Sequence, residues 1–173
     1  MRLTTLIILT IINTTLMAQN FHDLSINSID GEEIKMSRYE GKNVLIVNVA
    51  SFCGYTSQYT DLQALSEEFE NLEVIGVPCN QFGFQEPLST DSIKSFCSRK
   101  YAVTFPMTEK AKVKGSSQHP LFQWLTDKEQ NKLDDFKVSW NFNKFLIDEN
   151  GKLVSHYGSN VSPLSEDITK HLK

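Results

Sequence analysis

Two runs of apolar and β-branched residues, with an amphipathic segment between them, constrain the fold of this 173-residue chain more than any other feature. The runs are NVLIVNVA at 43–50 and LEVIGVPC at 72–79. Such near-continuous runs are typical of strands buried on both faces of a sheet. Between them, apolar residues recur at spacings of three and four, which predicts one face of a helix from Thr56 onward. The apolar positions of that helix are Tyr59, Leu62, Leu65 and Phe69.

The segments on either side of this unit predict a hairpin near each end of the chain and three more helices. DLSINSIDGEEIKM has a turn at 30–31 between alternating apolar residues, and NKFLIDENGKLVSHYG has a turn at 149–151. Helices are predicted for STDSIKSFCSRKY, for SSQHPLFQWLTD with Pro120 near its first turn, and for SPLSEDITKHLK with Ser162 as cap and Pro163 first. This order predicts an α/β fold in which a central mixed β-sheet is flanked by helices on both faces.

The first residues have the pattern of a secretory signal peptide. Arg2 is followed by an apolar stretch over about 3–17, and Ala18 is a small residue suited to cleavage. The stretch is short and interrupted by Thr and Asn, so it fits a signal peptide better than a membrane span, with an uncleaved anchor as the alternative. We therefore predict a signal peptide at 1–18 and one domain at 19–173, without linker or repeat. The mature protein would be exported, periplasmic or secreted, with no stable membrane insertion after cleavage.

Charge and cysteine content exclude several classes of function. The net charge is −4 and the chain has no basic stripe, so nucleic-acid binding is not expected. Three cysteines are too few, and an odd number, for a disulfide scaffold. The chain has no CxxC and its four histidines are scattered, so we expect no metal site and no resident cofactor.

Cys53 lies at the predicted junction between the first apolar run and the helix that follows it. In open α/β sheets, ligands bind outside the carboxyl ends of the strands. A helix N-terminus offers unpaired N–H groups and a partial positive charge, which favour a thiolate, the nucleophilic form of cysteine. Cys53 is therefore a candidate nucleophile, and the alternative is an inert buried thiol.

Two later segments carry neutral polar side chains that can complete a site with Cys53. VPCNQFGFQEP follows the second apolar run and is predicted to emerge at the same sheet edge; it contains Gln81 and Gln85. SWNFNKF opens the late hairpin with Trp140 and Asn141. Amide and indole N–H groups are donors that can stabilise a sulfur anion and hold an oxygen-containing substrate. Each segment also has a purely structural explanation, with Trp140 as core filler and NQFG as a turn.

Five motifs occur in an order that closely resembles the glutathione peroxidase family, from about Phe21 to the C-terminus. They are NVLIVNVASFCGYTSQYTDLQAL, PCNQFGFQEP, FPM, HPLFQWL and WNFNKFLIDENGKLV. The resemblance implies a thioredoxin-like fold and a thiol peroxidase that reduces hydrogen peroxide and organic or lipid hydroperoxides in the response to oxidative stress. It places the family's catalytic tetrad on Cys53, Gln81, Trp140 and Asn141. The peroxide-reducing thiol of this family stands alone in CGxT, and Thr56 would support the backbone there with its hydroxyl.

Oxidation of Cys53 would give a sulfenic acid, which a second thiol must resolve. Cys97, in SFCSRKY, resembles the resolving cysteine of the thioredoxin-dependent members, although it shares an apolar helix face with Ile93 and Phe96. Cys79 is the alternative, but its position at the end of a buried strand favours a packing role. If Cys97 is buried, its helix must partly unwind, since the Cα atoms of a disulfide lie within about 7 Å.

The resolving cysteine implies a thioredoxin-like protein as reductant, with glutathione as the alternative co-substrate. Glutathione is anionic, and the nearest cations by motif are Arg99, Lys100 and Lys144 in an acidic chain. Phe52 stands where many members have Lys, and Phe84 replaces a small or polar residue. The segment between HPLFQWL and WNF is short where tetrameric members insert a longer loop, which implies a monomer.

Two other functions on the same fold are alternatives. An exported thioredoxin-like thiol–disulfide oxidoreductase would carry a second cysteine in CGYT, and this chain has Thr56 there. Insulin reduction would distinguish that activity. A metallochaperone needs two nearby thiolates and a histidine, but Cys53 has no cysteine three or four residues on. Stoichiometric copper binding would be needed to support that function.

Overall fold

The alternation of strands and helices that the sequence predicts is present in the computed structural model, which describes residues 20–172. The elements are β1 (Ser25–Asn27), β2 (Glu33–Lys35), β3 (Asn43–Val49), α1 (Gln58–Glu68), β4 (Leu72–Pro78), α2 (Thr90–Tyr101), α3 (Pro120–Thr126), α4 (Lys128–Asn131), β5 (Lys144–Ile147), β6 (Leu153–Tyr157) and α5 (Glu166–Thr169). The predicted signal peptide, residues 1–18, lies outside the described residues. Within 20–172, every helix is too short or too polar to cross a bilayer.

A four-stranded mixed sheet with the strand order β4-β3-β5-β6 forms the centre of the fold. β3 and β4 pair in parallel with Val49 opposite Pro78, whereas β5 is antiparallel to both β3 and β6, with Lys144 opposite Val47. This register confirms the predicted mixed sheet. It also brings the end of β3, the end of β4 and the start of β5 to one edge. The β1–β2 hairpin forms a separate two-stranded sheet.

Alternate residues of β3 point to opposite sides of the sheet, and both sides are covered. Leu45 and Val47 belong to a core cluster with residues of α1, α2 and α5. Val44 and Ile46 belong to a second cluster with residues of α3 and the β1–β2 hairpin. Because neither face meets water, both must be apolar, which explains why this strand is a continuous apolar run.

The predicted start of the first helix is wrong. α1 begins at Gln58, and the preceding residues form a tight turn in which Thr56 N–H donates to the carbonyl oxygen of Cys53 at 3.1 Å. Further i+3 bonds, including Tyr59 N–H to the Thr56 carbonyl at 3.1 Å, lead from this turn into the helix. Cys53 therefore lies in a connecting turn, and the expected helix N-terminus at its sulfur is replaced by turn amides.

The other helix starts agree with the sequence except at the C-terminus. Ser89 caps α2 by accepting from Ser92 N–H at 3.4 Å, and Pro120 begins α3 as predicted. α5 begins after Ser165, whereas the predicted cap Ser162 instead holds the turn before it. α4 has no counterpart in the prediction because a helix of four residues carries too little apolar periodicity to be recognised.

Candidate active site

The three cysteines differ sharply in accessibility. Cys53 is half-buried just beyond the end of β3, whereas Cys79 and Cys97 are 0% and 2% exposed. Burial raises the pKa of the Cys97 thiol to about 11 and also raises the pKa of Cys79. Reactive cysteines are at least partly exposed, and buried thiols are inert. Of the three cysteines, Cys53 is therefore the one whose thiol is accessible from solvent without any change in the fold.

Thr56 organises the turn that carries Cys53. Its Oγ1 accepts a hydrogen bond from Cys53 N–H at 2.9 Å and donates one to the Ala50 carbonyl at 2.9 Å. This confirms the expectation that the Thr56 hydroxyl supports the backbone. The N–H of Tyr55 donates to Cys53 Sγ at 3.5 Å, so the turn directs a backbone donor at the sulfur. Such a donor favours negative charge on sulfur.

The loop between β4 and α2 is hydrogen-bonded to this turn at two places. Phe52 N–H donates to the Gln85 carbonyl at 3.0 Å. Glu86 Oε2 accepts from both the N–H and the hydroxyl of Ser51, each at 2.9 Å. Glu86 is fully buried, and this burial raises the pKa of its carboxyl group. The predicted convergence of this loop with Cys53 is therefore present.

Asn141, in the turn before β5, also contacts the loop between β4 and α2. It is fully buried at the approach to β5, and its Nδ2 donates to Gln85 Oε1 at 2.9 Å. The next residue, Phe142, has φ of +63° and donates its N–H to the Asn48 carbonyl at 2.6 Å. This left-handed residue turns the chain sharply, which leaves the Asn141 side chain directed toward the loop. Gln85, a candidate donor from its sequence position, is instead the hydrogen-bond acceptor of Asn141.

Gln81 and Trp140 lie in the two segments that meet here, but their side chains have other partners. Gln81 Nε2 donates to the Lys114 carbonyl at 3.0 Å, and its Oε1 accepts from Val113 N–H at 2.7 Å. The Trp140 ring is 39% exposed, so it is not core filler, and its centroid lies 5.8 Å from that of Phe82. Within residues 20–172, no hydrogen bond joins Cys53 Sγ to Gln81, Trp140 or Asn141.

Exposed aromatic side chains surround the cysteine turn. Phe52 is 57% exposed and Tyr55 36%, on either side of Cys53. Phe84, in the loop that is bonded to the turn, is 82% exposed. We call these three residues and Trp140, which is 39% exposed, the aromatic rim. Exposed apolar groups that cluster in this way mark binding sites more often than single exposed residues do.

Of the three cationic candidates for a glutathione site, Arg99 and Lys100 line one open cavity with Phe52, whereas Lys144 does not line it. Lys144 is fully buried, and its Nζ donates to the Phe142 carbonyl at 2.8 Å. Burial lowers the pKa of Lys144 to about 7. As a contact for an anionic substrate at the surface, Lys144 was therefore a wrong candidate. Arg99 and Lys100 are exposed on α2, where Lys100 Nζ lies 5.3 Å from the centroid of the Phe96 ring.

Comparisons with known proteins agree on one family. The sequence model of that family, described as "Glutathione peroxidase", matches residues 21–126. A hydroperoxy fatty acid reductase from Synechocystis is 45% identical, over 91% of this chain and 99% of the relative. A glutathione peroxidase-like peroxiredoxin from Saccharomyces cerevisiae is 42% identical, over 87% of this chain and 94% of the relative.

Solved structures confirm the expected thioredoxin-like fold. The crystal structure of a glutathione peroxidase from T. cruzi is similar with a TM-score of 0.66 at 31% identity, over 89% of this chain and 94% of that one. Together with the matched motifs, these findings establish that the chain belongs to the glutathione peroxidase family and is a thiol peroxidase that reduces hydroperoxides.

Proposed function

We propose that Cys53 is the thiol that reduces the peroxide. The observation that carries this proposal is that Cys53 alone of the three cysteines is accessible, in a turn that directs the Tyr55 N–H at its sulfur. The Cys53 thiolate attacks one peroxide oxygen and the O–O bond breaks. The sulfur retains that oxygen as a sulfenic acid, while the other oxygen leaves with the bonding electron pair and is protonated to water or an alcohol.

Gln81, Trp140 and Asn141 act as neutral hydrogen-bond donors around this reaction. Their convergence at one sheet edge supports this role, because the end of β4 and the start of β5 both border the end of β3. Asn141 is connected to the cysteine turn through Gln85, whose side chain accepts from the Asn141 amide and whose carbonyl accepts from Phe52 N–H. Gln81 must release the Lys114 carbonyl before its amide can face the sulfur. Catalytic hydrogen bonds that are absent in a ligand-free protein often form only when the substrate is bound.

Cys97 resolves the oxidised Cys53. Its thiol attacks the sulfenic sulfur, water leaves, and a disulfide forms, which a thioredoxin-like dithiol then reduces. Cys79 is less suited because its own N–H donates to the Val49 carbonyl at 3.0 Å, so its movement breaks the sheet. α2 is not part of the sheet, so its opening breaks no sheet hydrogen bond; it costs the helical bonds, the side-chain packing and the ion pair of Lys94 with Asp30. Glutathione is the alternative co-substrate; Arg99 and Lys100 line a cavity with Phe52, next to Cys53, whereas Lys144 is buried.

The aromatic rim favours hydroperoxides that carry an apolar chain. A small, fully solvated peroxide gains little from exposed phenyl and indole rings, whereas an acyl chain buries apolar surface on them. Phe52 and Phe84 replace smaller or polar residues of the resembled family, which enlarges this surface. The similar Synechocystis protein is named for the reduction of hydroperoxy fatty acids. We infer that organic and lipid hydroperoxides are substrates alongside hydrogen peroxide.

We further propose that the protein is exported as a monomer after removal of residues 1–18. The apolar stretch behind Arg2 supports export, and the short segment before Trp140 supports the monomer. Outside the cytosol the reductant would be an exported thioredoxin-like protein. N-terminal sequencing of the mature protein, together with its mass in solution, tests both statements.

The decisive experiment for Cys53 follows peroxide reduction by the purified, reduced protein in a stopped-flow instrument. Cys53→Ser should lose the reaction while retaining the circular-dichroism spectrum and melting temperature of the wild type. Cys79→Ser is the matched control and should react at the wild-type rate. A folded Cys53→Ser variant that still reduces peroxide would show that another group carries the reaction.

A further inference from the structure

The loop between β4 and α2 contacts both halves of the site through one residue. The carbonyl of Gln85 accepts the N–H of Phe52 at 3.0 Å, next to Cys53. The side chain of the same residue accepts the Asn141 amide at 2.9 Å. Gln85 therefore connects the two: its backbone carbonyl is hydrogen-bonded to the cysteine turn, and its side chain is hydrogen-bonded to Asn141 in the turn before β5.

The buried side chain of Glu86, the next residue, fixes the loop to the base of the cysteine turn. Its Oε2 accepts two hydrogen bonds from Ser51, at the base of the cysteine turn, each 2.9 Å long. Its backbone N–H donates to Asn80 Oδ1 at 2.9 Å, which closes the loop upon itself. Because Glu86 is fully buried, these bonds do not compete with water.

The backbone before this pair is strained, which shows that the surrounding contacts determine the loop's shape. Gly83 and Phe84 have φ of +59° and +54°, so two consecutive residues are left-handed. That conformation is unfavourable for a residue with a side chain, and the exposed Phe84 ring gains little packing that could offset it. Such a conformation persists only where neighbouring contacts impose it. The contacts that follow it directly are those of Gln85 and Glu86.

We propose that Gln85 and Glu86 are positioning residues that set the placement of Asn141 relative to the Cys53 sulfur. Glu86 fixes the cysteine turn through Ser51, and Gln85 orients the Asn141 amide relative to that turn. Neither residue contacts the peroxide in this proposal. The inference rests on the proposed roles of Cys53 and Asn141.

The first test replaces Gln85 by leucine, which keeps the side-chain size and removes the acceptor for Asn141. We expect Gln85→Leu to lower the rate of peroxide reduction on the order of a hundredfold, since small misplacements of reacting groups have effects of that size. Gln130→Leu is the matched control, because Gln130 is half-buried on α4 and its side-chain amide donates to Asp127, the cap of the same helix, at 3.1 Å. Its rate should stay within about twofold of wild type, the usual outcome away from a site.

A double-mutant cycle separates positioning from a general loss of structure. If Gln85 acts through Asn141, then Gln85→Leu should have no further effect in an Asn141→Ala background. If the double variant instead loses peroxide-reduction rate by the product of the two single-variant factors, the proposal is overturned. Alkylation of Cys53 by iodoacetamide should proceed at the wild-type rate in Gln85→Leu, because the thiol and its turn remain.

The third test concerns Glu86 and uses a conservative rescue. Glu86→Gln retains an oxygen that can accept from Ser51, so its peroxide rate should remain within a few-fold of wild type. Glu86→Ala removes the acceptor and should lose most of the rate. If Glu86→Ala does not fold, Ser51→Ala deletes one of the two bonds from the other side and should lower the rate by a smaller factor. A wild-type rate in a folded Glu86→Ala, or in Ser51→Ala, would remove Glu86 from the proposal.

The side-chain amide of Asn141 gives a readout that does not depend on activity. In ¹⁵N-labelled protein, its two N–H resonances should shift in Gln85→Leu and remain in place in Gln130→Leu. Unchanged resonances in Gln85→Leu would overturn the positioning role. A wild-type peroxide rate in Asn141→Ala would instead overturn the proposed donor role of Asn141, so the two failures are distinguishable.

Discussion

The rings of Phe52 and Phe96 lie with their centroids 6.3 Å apart and their planes at 46°, and each ring belongs to the residue directly before a cysteine. Phe96 also meets Tyr101, at 5.6 Å between centroids. This aromatic contact packs α2 against the turn of Cys53 while Cys97 itself stays buried. Because Cys97 is buried on α2, we expect that a disulfide between the two cysteines forms only after α2 loses part of its helical structure.

We predict that one equivalent of peroxide converts the reduced protein to a form with a Cys53–Cys97 disulfide. Peptide mapping of the oxidised protein detects the linked peptides directly. Residues 89–101 should then exchange amide hydrogens faster, because unwinding breaks the helical hydrogen bonds that protect them. Unwinding also exposes apolar side chains, each worth about 1.5–3 kcal/mol when fully buried. A Cys53–Cys79 linkage would assign the resolving role to the other buried thiol.

The variant Cys97→Ser separates the two half-reactions. It should consume one equivalent of peroxide, stop at the sulfenic acid, and lose turnover supported by thioredoxin. Cys79→Ser is its control and should turn over normally. Normal thioredoxin-supported turnover of Cys97→Ser would mean that the enzyme works with one cysteine and that our assignment of the reductant is wrong.

Loss of a neutral donor should slow the reaction of Cys53 with peroxide. Removing one donor from an oxyanion-type site typically costs on the order of a hundredfold in rate. We expect Asn141→Ala, Trp140→Phe and Gln81→Ala each to show such a loss in stopped-flow measurements. Asn160→Ala, at an exposed position, is the control. A wild-type rate in any of the three would exclude that residue as a donor.

Substitutions in the aromatic rim should lower kcat/KM for apolar hydroperoxides and not for hydrogen peroxide. We predict that Phe84→Asn lowers kcat/KM about tenfold for a fatty acid hydroperoxide and leaves it unchanged for hydrogen peroxide, because partial burial of a phenyl ring is worth about 1.4 kcal/mol. Asparagine tolerates the left-handed backbone of this position, so the loop should be preserved. Leu164→Ser removes an exposed apolar side chain elsewhere and is the control. Equal losses for both substrates would instead indicate damage to the loop.

The buried amine of Lys144 predicts a pH dependence of stability. Its pKa is lowered by burial to about 7 from 10.5, with the Asp61 charge opposing the shift. Between these values the unfolded chain binds a proton that the folded protein does not, so the free energy of unfolding rises with pH across this window. Below pH 7 both states are protonated, and the buried charge costs stability in full.

Lys144→Met has no amine to titrate at this position. The difference in free energy of unfolding between this variant and the wild type should therefore favour the variant most below pH 7. That difference should decrease toward pH 10.5 by on the order of a few kcal/mol. The lost bond from Nζ to the Phe142 carbonyl adds an offset that does not depend on pH. Urea unfolding of both proteins from pH 6 to 10 measures the difference. A constant difference would show that Lys144 remains protonated in the folded protein.

Local sequence patterns predicted most of the fold because the spacing of apolar residues in each element reflects which of its faces are buried. The continuous apolar run of β3 reflects a strand covered on both faces, and the capping residue Ser89 marked the start of α2. The start of α1 was misplaced because apolar periodicity does not distinguish a helix from a tight turn that leads into it. The motif resemblance added the candidate residues, since spacing by itself left each of them with a structural explanation.

The sequence by itself determined the class of fold and the chemical groups that are available at one sheet edge. Only the tertiary structure decided which of these groups are in contact. Asn141 and Gln85 are 56 positions apart and meet through the sheet register and the left-handed backbone of Phe142 and Phe84, which no local preference encodes. Likewise Gln81 donates to Lys114, and Lys144 is buried away from solvent. Hydrogen-bond partners from distant segments depend on how separate elements pack together, whereas the burial pattern of an element is visible in its own sequence.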